Sequence, residues 1–397
     1  MKTLYLHIGI PKTATTSIQN FCAKNRDLLS EKGFYYPESF HYYENIVPDR
    51  NAHFLFGIIR NEEGKRRYKY EGKIRREGLA HIAKLFEEHD NIILSDESVW
   101  WATCFYRKDL WDMLKEEGEK HNYCIKIIVY LRRQDEFLLS RYNQLVKAMN
   151  SHSETFEEYL DRCLTERRKI VEYGEKIDEI AEVLGKENII VKRFDRDFFY
   201  KGDVIADFLH IFGLELTDEY APLDDDLNVG IGLNSGEIKR KINALGKFEN
   251  DENKYVVRLL KECEDNLPKC SEKYLSSKET QDLMAQFEEG NNRIAQEYIG
   301  DGKPLFKDVK DGIKKWSRDN PVVADETVMF LYSVCRGLHT ENKMLQDKEK
   351  ENAKNIASLT KELDKLKKQV KKNDKRISDL KDALRHPFKA IFRKIKK

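Results

Sequence analysis

The chain has almost no net charge, with 71 Lys and Arg against 70 Asp and Glu in 397 residues. That balance leaves no overall field, so charge has meaning only locally. It lacks any uncharged apolar run of about 18 residues, which excludes a helix spanning a bilayer. Its seven cysteines (Cys22, Cys104, Cys124, Cys163, Cys263, Cys270 and Cys335) contain no C-x-x-C pair. Neither a zinc site nor a disulfide framework is suggested, and a reducing compartment fits. Lys2 and the apolar T-L-Y-L-H-I-G-I imitate the start of a secretory signal, but Pro11-Lys12 arrives too soon and no small-residue cleavage site follows. The expectation is a cytoplasmic protein, with a peripheral position at the inner face of the membrane.

The most informative absence is a glycine. H-I-G-I-P-K-T-A-T-T-S, residues 7–17, has the outline of a phosphate-binding loop, yet no second glycine precedes the lysine as G-x-x-x-x-G-K-[ST] requires. A strand ending at Gly9, a tight turn at Pro11 and a helix starting near Thr13 would aim several free backbone N–H groups at one point, where a helix N-terminus favours negative charge. Lys12 adds a cation, and Thr13, Thr15, Thr16 and Ser17 add hydroxyl donors. The stretch reads as an oxyanion cradle; an ordinary helix cap needs one hydroxyl and no lysine at the strand tip. For phosphoryl transfer from a nucleoside triphosphate the second glycine is missing, and Asp96 is the only candidate for a strand-end magnesium ligand.

Alternating strand and helix patterns follow. Strands are expected at T-L-Y-L-H-I-G, at 91–96, at 123–131 and at 188–194, separated by helical stretches. The first helix carries Ile18, Phe21, Cys22, Leu28 and Leu29 on one face and stops at Gly33. The fold class is therefore α/β: a P-loop-like, mainly parallel sheet with flanking helices. A helical region and a C-terminal coiled coil follow it. Residues 1–300 form the α/β domain with its helical part, 301–327 a linker, 328–385 the coiled coil, and 386–397 a basic tail. Ile356, Leu359, Leu363, Leu366, Val370, Ile377, Leu380 and Leu384 fall at alternating steps of three and four, with Asn373 at the one interrupted seam position. Ile, Leu and Val at a with Leu at d favour a parallel dimer, although Asn373 leaves the strand number open.

The loop resembles the 5′-phosphosulfate loop, P-K-[ST]-G-[ST]-T, of sulfotransferases that use 3′-phosphoadenosine 5′-phosphosulfate (PAPS), with Ala14 in the glycine position. That family's second signature is an Arg at a later strand end with a Ser eight residues on. Y-L-R-R-Q-D-E-F-L-L-S supplies Arg132 and Ser140 at that spacing. The wording is closest to the bacterial branch acting on surface glycans, over about residues 1–245, counting a weaker stretch from Asn228 to Asn243. The resemblance implies PAPS as co-substrate, no metal, and a carbohydrate hydroxyl as acceptor. It implies Lys12 at the leaving-group oxygen; Thr15, Thr16 and loop amides on the 5′-phosphate; and Arg132 with Ser140 on the 3′-phosphate. Ala14 is tolerable where φ is negative and weakens the match where φ is positive.

The acceptor needs a base. Glu97, after the strand preceding the Arg132 strand, and His53, in R-N-A-H-F-L-F, are the two candidates. The aromatics of 98–106 offer a stacking wall for a sugar, a role that core packing explains equally well. R-H-P-F-K-A-I-F-R-K-I-K-K at the C-terminus carries six Lys or Arg with a sided apolar stripe, which reads as a foot on an anionic membrane surface. No nucleic-acid motif accompanies it. A non-catalytic nucleotide-binding scaffold working through its coiled coil, or a P-loop kinase with a deviant loop, stays open beside the sulfotransferase.

Overall fold

The computed structural model describes residues 2–44, 46–148, 152–223, 230–246, 249–265 and 270–385. The basic tail 386–397, and the first two residues of the 228–243 stretch, lie outside the described residues. The chain divides into two units, Met1–Glu326 and Thr327–Lys397.

The first unit is built on β1 (Thr3–His7), β2 (Asn91–Ser95), β3 (Cys124–Leu131) and β4 (Ile189–Arg193). They pair in parallel in the order β2-β1-β3-β4. Parallel strands need crossovers, and helices supply them: α1 (Thr15–Lys24), α2 (Arg26–Glu31) and α3 (Tyr68–Leu85) between β1 and β2; α4 (Ser98–Phe105) and α5 (Leu110–His121) before β3; α6 (Gln134–Ala148), α7 (Phe156–Thr165) and α8 (Tyr173–Leu184) before β4. The four expected strands are those found, each within a residue or two of its bounds.

Burial explains why these segments are strands. Leu4, Leu6, Ile127, Ile128 and Val129 are all 0% exposed, as a sheet covered on both faces requires. Each such side chain contributes about 1.5–3 kcal/mol relative to exposure. Ile18, Phe21 and Cys22 of α1 pack against Ile128 and Tyr130 on one face, with Phe208 of α9 (Val204–His210). The single helix expected after the loop is two, parted at Asn25, whose side-chain amide donates to the Phe21 carbonyl and which leaves helical geometry at φ −113°.

Register places the site. His7 lies level with Ser95 on one side and Ile128 on the other. β1 and β3 are neighbours although β2 lies between them in sequence, so the order in which strands are added to the parallel sheet reverses between them. In open α/β sheets the ligand crevice forms beyond the strand ends at such a point.

Beyond α9 the first unit is helical: α10 (Leu233–Leu245), α11 (Asn250–Glu264), α12 (Ser277–Ala285) and α13 (Glu288–Ile294). The stretch expected as a linker is bonded to this unit. Arg193 reaches both carboxylate oxygens of Asp301 at 2.8 Å and the carbonyls of Lys303 and Pro304, and Leu305 and Trp316 are buried. Helix α14 (Pro321–Arg385) runs unbroken for 65 residues. The second unit, where described, is residues 327–385 of this helix, and its seam side chains are solvent-facing, with Leu359 64% and Leu380 63% exposed. Among the described residues no helix is long and apolar enough to cross a membrane.

Candidate functional site

Between β1 and α1 the chain makes a tight turn in which two non-glycine residues adopt left-handed backbone, Lys12 at φ 74° and Ala14 at φ 55°. That conformation costs an L-residue roughly 1–2 kcal/mol. Strain kept in a short loop is a mark of function, and left-handed residues in turns build the N–H concavities that hold anions. Ala14 is the N-cap of α1, and no side chain caps that helix, so its leading N–H groups are not consumed by side chains. The alanine therefore stands where a glycine would be relaxed, and by the expectation set from the sequence this positive φ weakens the match of the loop to the P-K-[ST]-G-[ST]-T pattern. Gly9 answers a different need: a Cβ there would meet Thr15 Cγ2 at 2.7 Å and His7 Nε2 at 3.0 Å.

The loop hydroxyls divide. Thr13 is fully buried and donates to the Ile10 carbonyl at 2.6 Å, so it ties the turn together. Thr15 is also buried, whereas Thr16 is exposed and Ser17 half-buried. The Lys12 ammonium has no hydrogen-bond or ion-pair partner among the described residues. Burial lowers its pKa, and the charges of Arg132, Lys147 and Arg141 act in the same direction. The Lys12 ammonium, repelled by these cations and itself unpaired among the described residues, leaves a position for an anion beside the loop.

Arg132 follows β3 and turns back to the loop, its Nη1 donating to the Lys12 carbonyl at 3.2 Å. Its Nε contacts the half-exposed Glu136 at 3.4 Å, its guanidinium lies 5.7 Å from the Phe194 ring centre, and its own carbonyl accepts from Tyr173 Oη at 2.9 Å. Ser140, two turns along α6, is half-buried, and its hydroxyl has no protein partner among the described residues. Two motifs 120 residues apart are thus joined by a hydrogen bond.

A polar chain runs from the loop to the end of β2. His7, fully buried, shares Nδ1 with Ser95 Oγ at 2.9 Å. Burial drives its pKa down to about 3 against the pull of Asp96, so the ring is neutral. Its Nε2 is buried without a partner. Gln19 of α1 donates to Ser95 Oγ at 3.2 Å and to Glu97 Oε2 at 3.1 Å. Arg50 lies 3.4 Å from Glu97 and grips the buried Asp96 through Nε and Nη2. Burial alone would raise the Asp96 pKa; the hydrogen bond from His53 and the charge and hydrogen bonds of Arg50 outweigh it and hold the group ionised below its ordinary value. An ionised carboxylate only accepts, so His53 Nδ1, 2.9 Å from Asp96 Oδ2, carries the proton and Nε2 is the basic nitrogen.

The two expected bases therefore differ. Glu97 is occupied by Arg50 and Gln19, while His53 is oriented by a buried carboxylate and lines a cavity of about 230 Å³. Asp96, spent on Arg50, His53 and the Ser98 N–H, does not have the freedom of a magnesium ligand. Among the described residues no three His, Cys, Asp or Glu side chains converge as a metal site.

Sequence reasoning missed the residues around His53. Trp100, in the expected stacking wall, is fully buried with its Nε1 on the Ile170 carbonyl, and so belongs to the core. The cavity aromatics are instead Tyr42 and Tyr43, the latter 4.7 Å from the His53 ring centre. The run His41-Tyr42-Tyr43 was the signal available. Arg50 stood three residues before His53 with nothing to distinguish it from other surface arginines.

No family model matches this chain. An uncharacterized protein of Archaeoglobus fulgidus is 29% identical over 176 residues, which is 44% of this chain and 46% of that protein. The chain thus spans about half the length of the curated relative it matches. A sulfotransferase from Alicyclobacillus acidocaldarius has a solved structure that is similar at a TM-score of 0.34 and 18% identity, over 57% of this chain and 88% of that one. Neither likeness assigns a substrate to the site.

Proposed function

We propose that this chain is a PAPS-dependent sulfotransferase that moves a sulfuryl group to a hydroxyl of a carbohydrate, on a surface or lipid-linked glycan. The observation that supports the reading is the Arg132 bond to the Lys12 carbonyl, which brings the strand-end arginine to the loop, with Ser140 following it on α6. Lys12 with the loop N–H groups suits a 5′-phosphosulfate; Arg132 with the Ser140 hydroxyl suits the 3′-phosphate that ATP and AMP lack.

PAPS supplies an activated sulfuryl group whose transfer builds negative charge on the bridging oxygen of the departing phosphate. Lys12 is the residue to meet that charge, with the N–H groups at the start of α1 holding the 5′-phosphate. His53 Nε2 takes the acceptor hydroxyl proton as the new O–S bond forms and the S–O bond to phosphate breaks. Asp96 keeps the imidazole in the tautomer that can do so, and stabilises the imidazolium that results. His53 is thus the base, and Glu97 helps hold Arg50.

The heptad seam of α14 pairs with a second copy in this reading, and the basic segment 386–397 meets an anionic membrane surface. The scaffold alternative predicts nucleotide binding without transfer. Calorimetry in the absence of magnesium tests the first part: adenosine 3′,5′-bisphosphate should bind at least about tenfold more tightly than AMP, the worth of one charge-assisted pair. Equal affinities would refute it. Transfer of labelled sulfate from PAPS to any glycan separates enzyme from scaffold.

A further inference from the structure

The cavity beside His53 does not stand alone. A second cavity, of about 530 Å³, runs along the outer face of α1 past Ser17, Asn20 and Lys24 to Leu223. The two share a wall made of Arg26 and Asp49, whose side chains meet at 3.3 Å and are 26% and 33% exposed. Arg26 Nε is buried there without a partner, and the guanidinium lies 5.8 Å from the Tyr36 ring centre. Tyr36 Oη in turn donates to the Asp49 carbonyl, so the dividing pair is fixed from below.

The sizes and linings differ in a way that matters for the acceptor. At about 230 Å³ the first cavity is smaller than the roughly 300–1,000 Å³ of sites for drug-sized molecules, and holds one ring. It offers aromatic faces at Tyr42 and Tyr43 together with charged and polar groups at Arg26, Asp49 and Arg50. Stacking surface beside hydrogen-bonding groups is what a pyranose, with apolar faces and a hydroxyl rim, can use. The second cavity is more polar and begins at Ser17, beside the anion loop.

Resting on the sulfotransferase reading, we infer that the acceptor is an oligosaccharide or longer glycan read across two adjoining subsites: the reacting sugar beside His53, its neighbour along α1, with Arg26 and Asp49 contacting the linkage between them. These two residues set the preference for a chain over a single sugar.

The test uses the full-length protein, labelled PAPS, and mono-, di-, tetra- and hexasaccharides derived from cellulose, chitin and hyaluronan. In the series that is sulfated, kcat/KM should rise roughly tenfold from mono- to disaccharide, the worth of one or two net hydrogen bonds, and change little beyond. Asp49→Asn and Arg26→Gln should bring the di- to monosaccharide ratio to about one. The exchanged pair Arg26→Asp with Asp49→Arg should recover thermal stability without recovering the ratio, because a structural ion pair tolerates reversal and a recognition pair does not. A disaccharide no better than its monosaccharide, or a ratio restored by the exchange, overturns the inference while the sulfotransferase reading stands. Failure to bind adenosine 3′,5′-bisphosphate, or transfer to no saccharide, overturns that reading and this inference with it.

Discussion

His53 Nδ1 lies 2.9 Å from Asp96 Oδ2, and the carboxylate it meets is wholly buried and gripped by Arg50. Asp96→Asn preserves the shape but lets the amide donate to Nδ1, placing the imidazole proton on Nε2. Sulfuryl transfer should then fall by about 10²–10⁴ in kcat, as for loss of a general base, with nucleotide affinity unchanged. His53→Ala should match it, and Glu97→Gln should cost less than about tenfold. Single-turnover kinetics checks this; a larger loss in the Glu97 variant would transfer the base role to that residue.

Arg132→Ala should erase the preference for adenosine 3′,5′-bisphosphate over AMP, leaving circular dichroism unchanged. Lys12→Ala should lower kcat by about 100-fold or more, the cost of removing one oxyanion donor, with a smaller effect on nucleotide affinity. Calorimetry paired with rates distinguishes the two roles. A Lys12 variant that loses affinity and rate in equal measure would make it a binding residue only.

The loop offers a test of strain. Ala14 at φ 55° should relax on replacement by glycine, which adopts that backbone freely, so Ala14→Gly is expected to stabilise the protein by up to about 1 kcal/mol after the entropy of the unfolded glycine is charged against it. Gly9→Ala should do the opposite and weaken nucleotide binding, because its Cβ would crowd Thr15 at 2.7 Å. Denaturant melts of both variants give the signs, and the same sign for both would remove the argument.

Lys239 of α10 is fully buried, with its ammonium bonded to Asn243 and no carboxylate partner among the described residues. Burial lowers its pKa to about 8. An unfolded lysine titrates near ~10.4, so between these values the unfolded chain holds a proton that the folded chain has released, and folding stability rises with pH across that window. Below about pH 8 the full cost of the buried charge is present. Lys239→Met should raise stability at pH 7 and flatten the rise between pH 8 and 10, read by urea unfolding at successive pH values. A wild-type stability that falls through this range would contradict the assignment.

The exposed seam of α14 is expected to be covered by a second copy in solution. Leu363 and Leu366, 51% and 58% exposed, are seam positions one step apart. Replacing both by lysine should shift sedimentation from dimer to monomer while the α/β unit keeps its nucleotide affinity. A wild type that sediments as a monomer would reduce α14 to a solvated helix.

Much of the α/β unit was legible because burial on both faces writes strands as continuous apolar runs, and because the candidate loop after β1 is local in sequence. His7 to Ser17 and Arg132 to Ser140 each lie on a single strand-to-helix passage, so spacing along the chain is spacing in space. The unbroken helix of 321–385 follows from the same cause: its pattern repeats at the period of the structure it adopts. The loop's strain was less legible, since an alanine does not announce a positive φ.

The sequence by itself determined the strands and the heptad pattern, and singled out the loop after β1, Arg132 and Ser140 as candidates, each encoded by neighbours a few residues apart. Only the tertiary structure decided that His53 is the histidine held by Asp96, 43 residues away, that Arg50 lies against Glu97, and that the aromatics lining the cavity beside His53 are Tyr42 and Tyr43 while Trp100 belongs to the core. The path of the largely irregular segment 46–57, with the aromatics of 37–44 before it, sets those meetings. Its backbone is fixed by bonds to the end of β2, such as Asn51 to the Ile93 carbonyl and the Ser95 N–H, and no periodic pattern along the chain records where such a segment will lie.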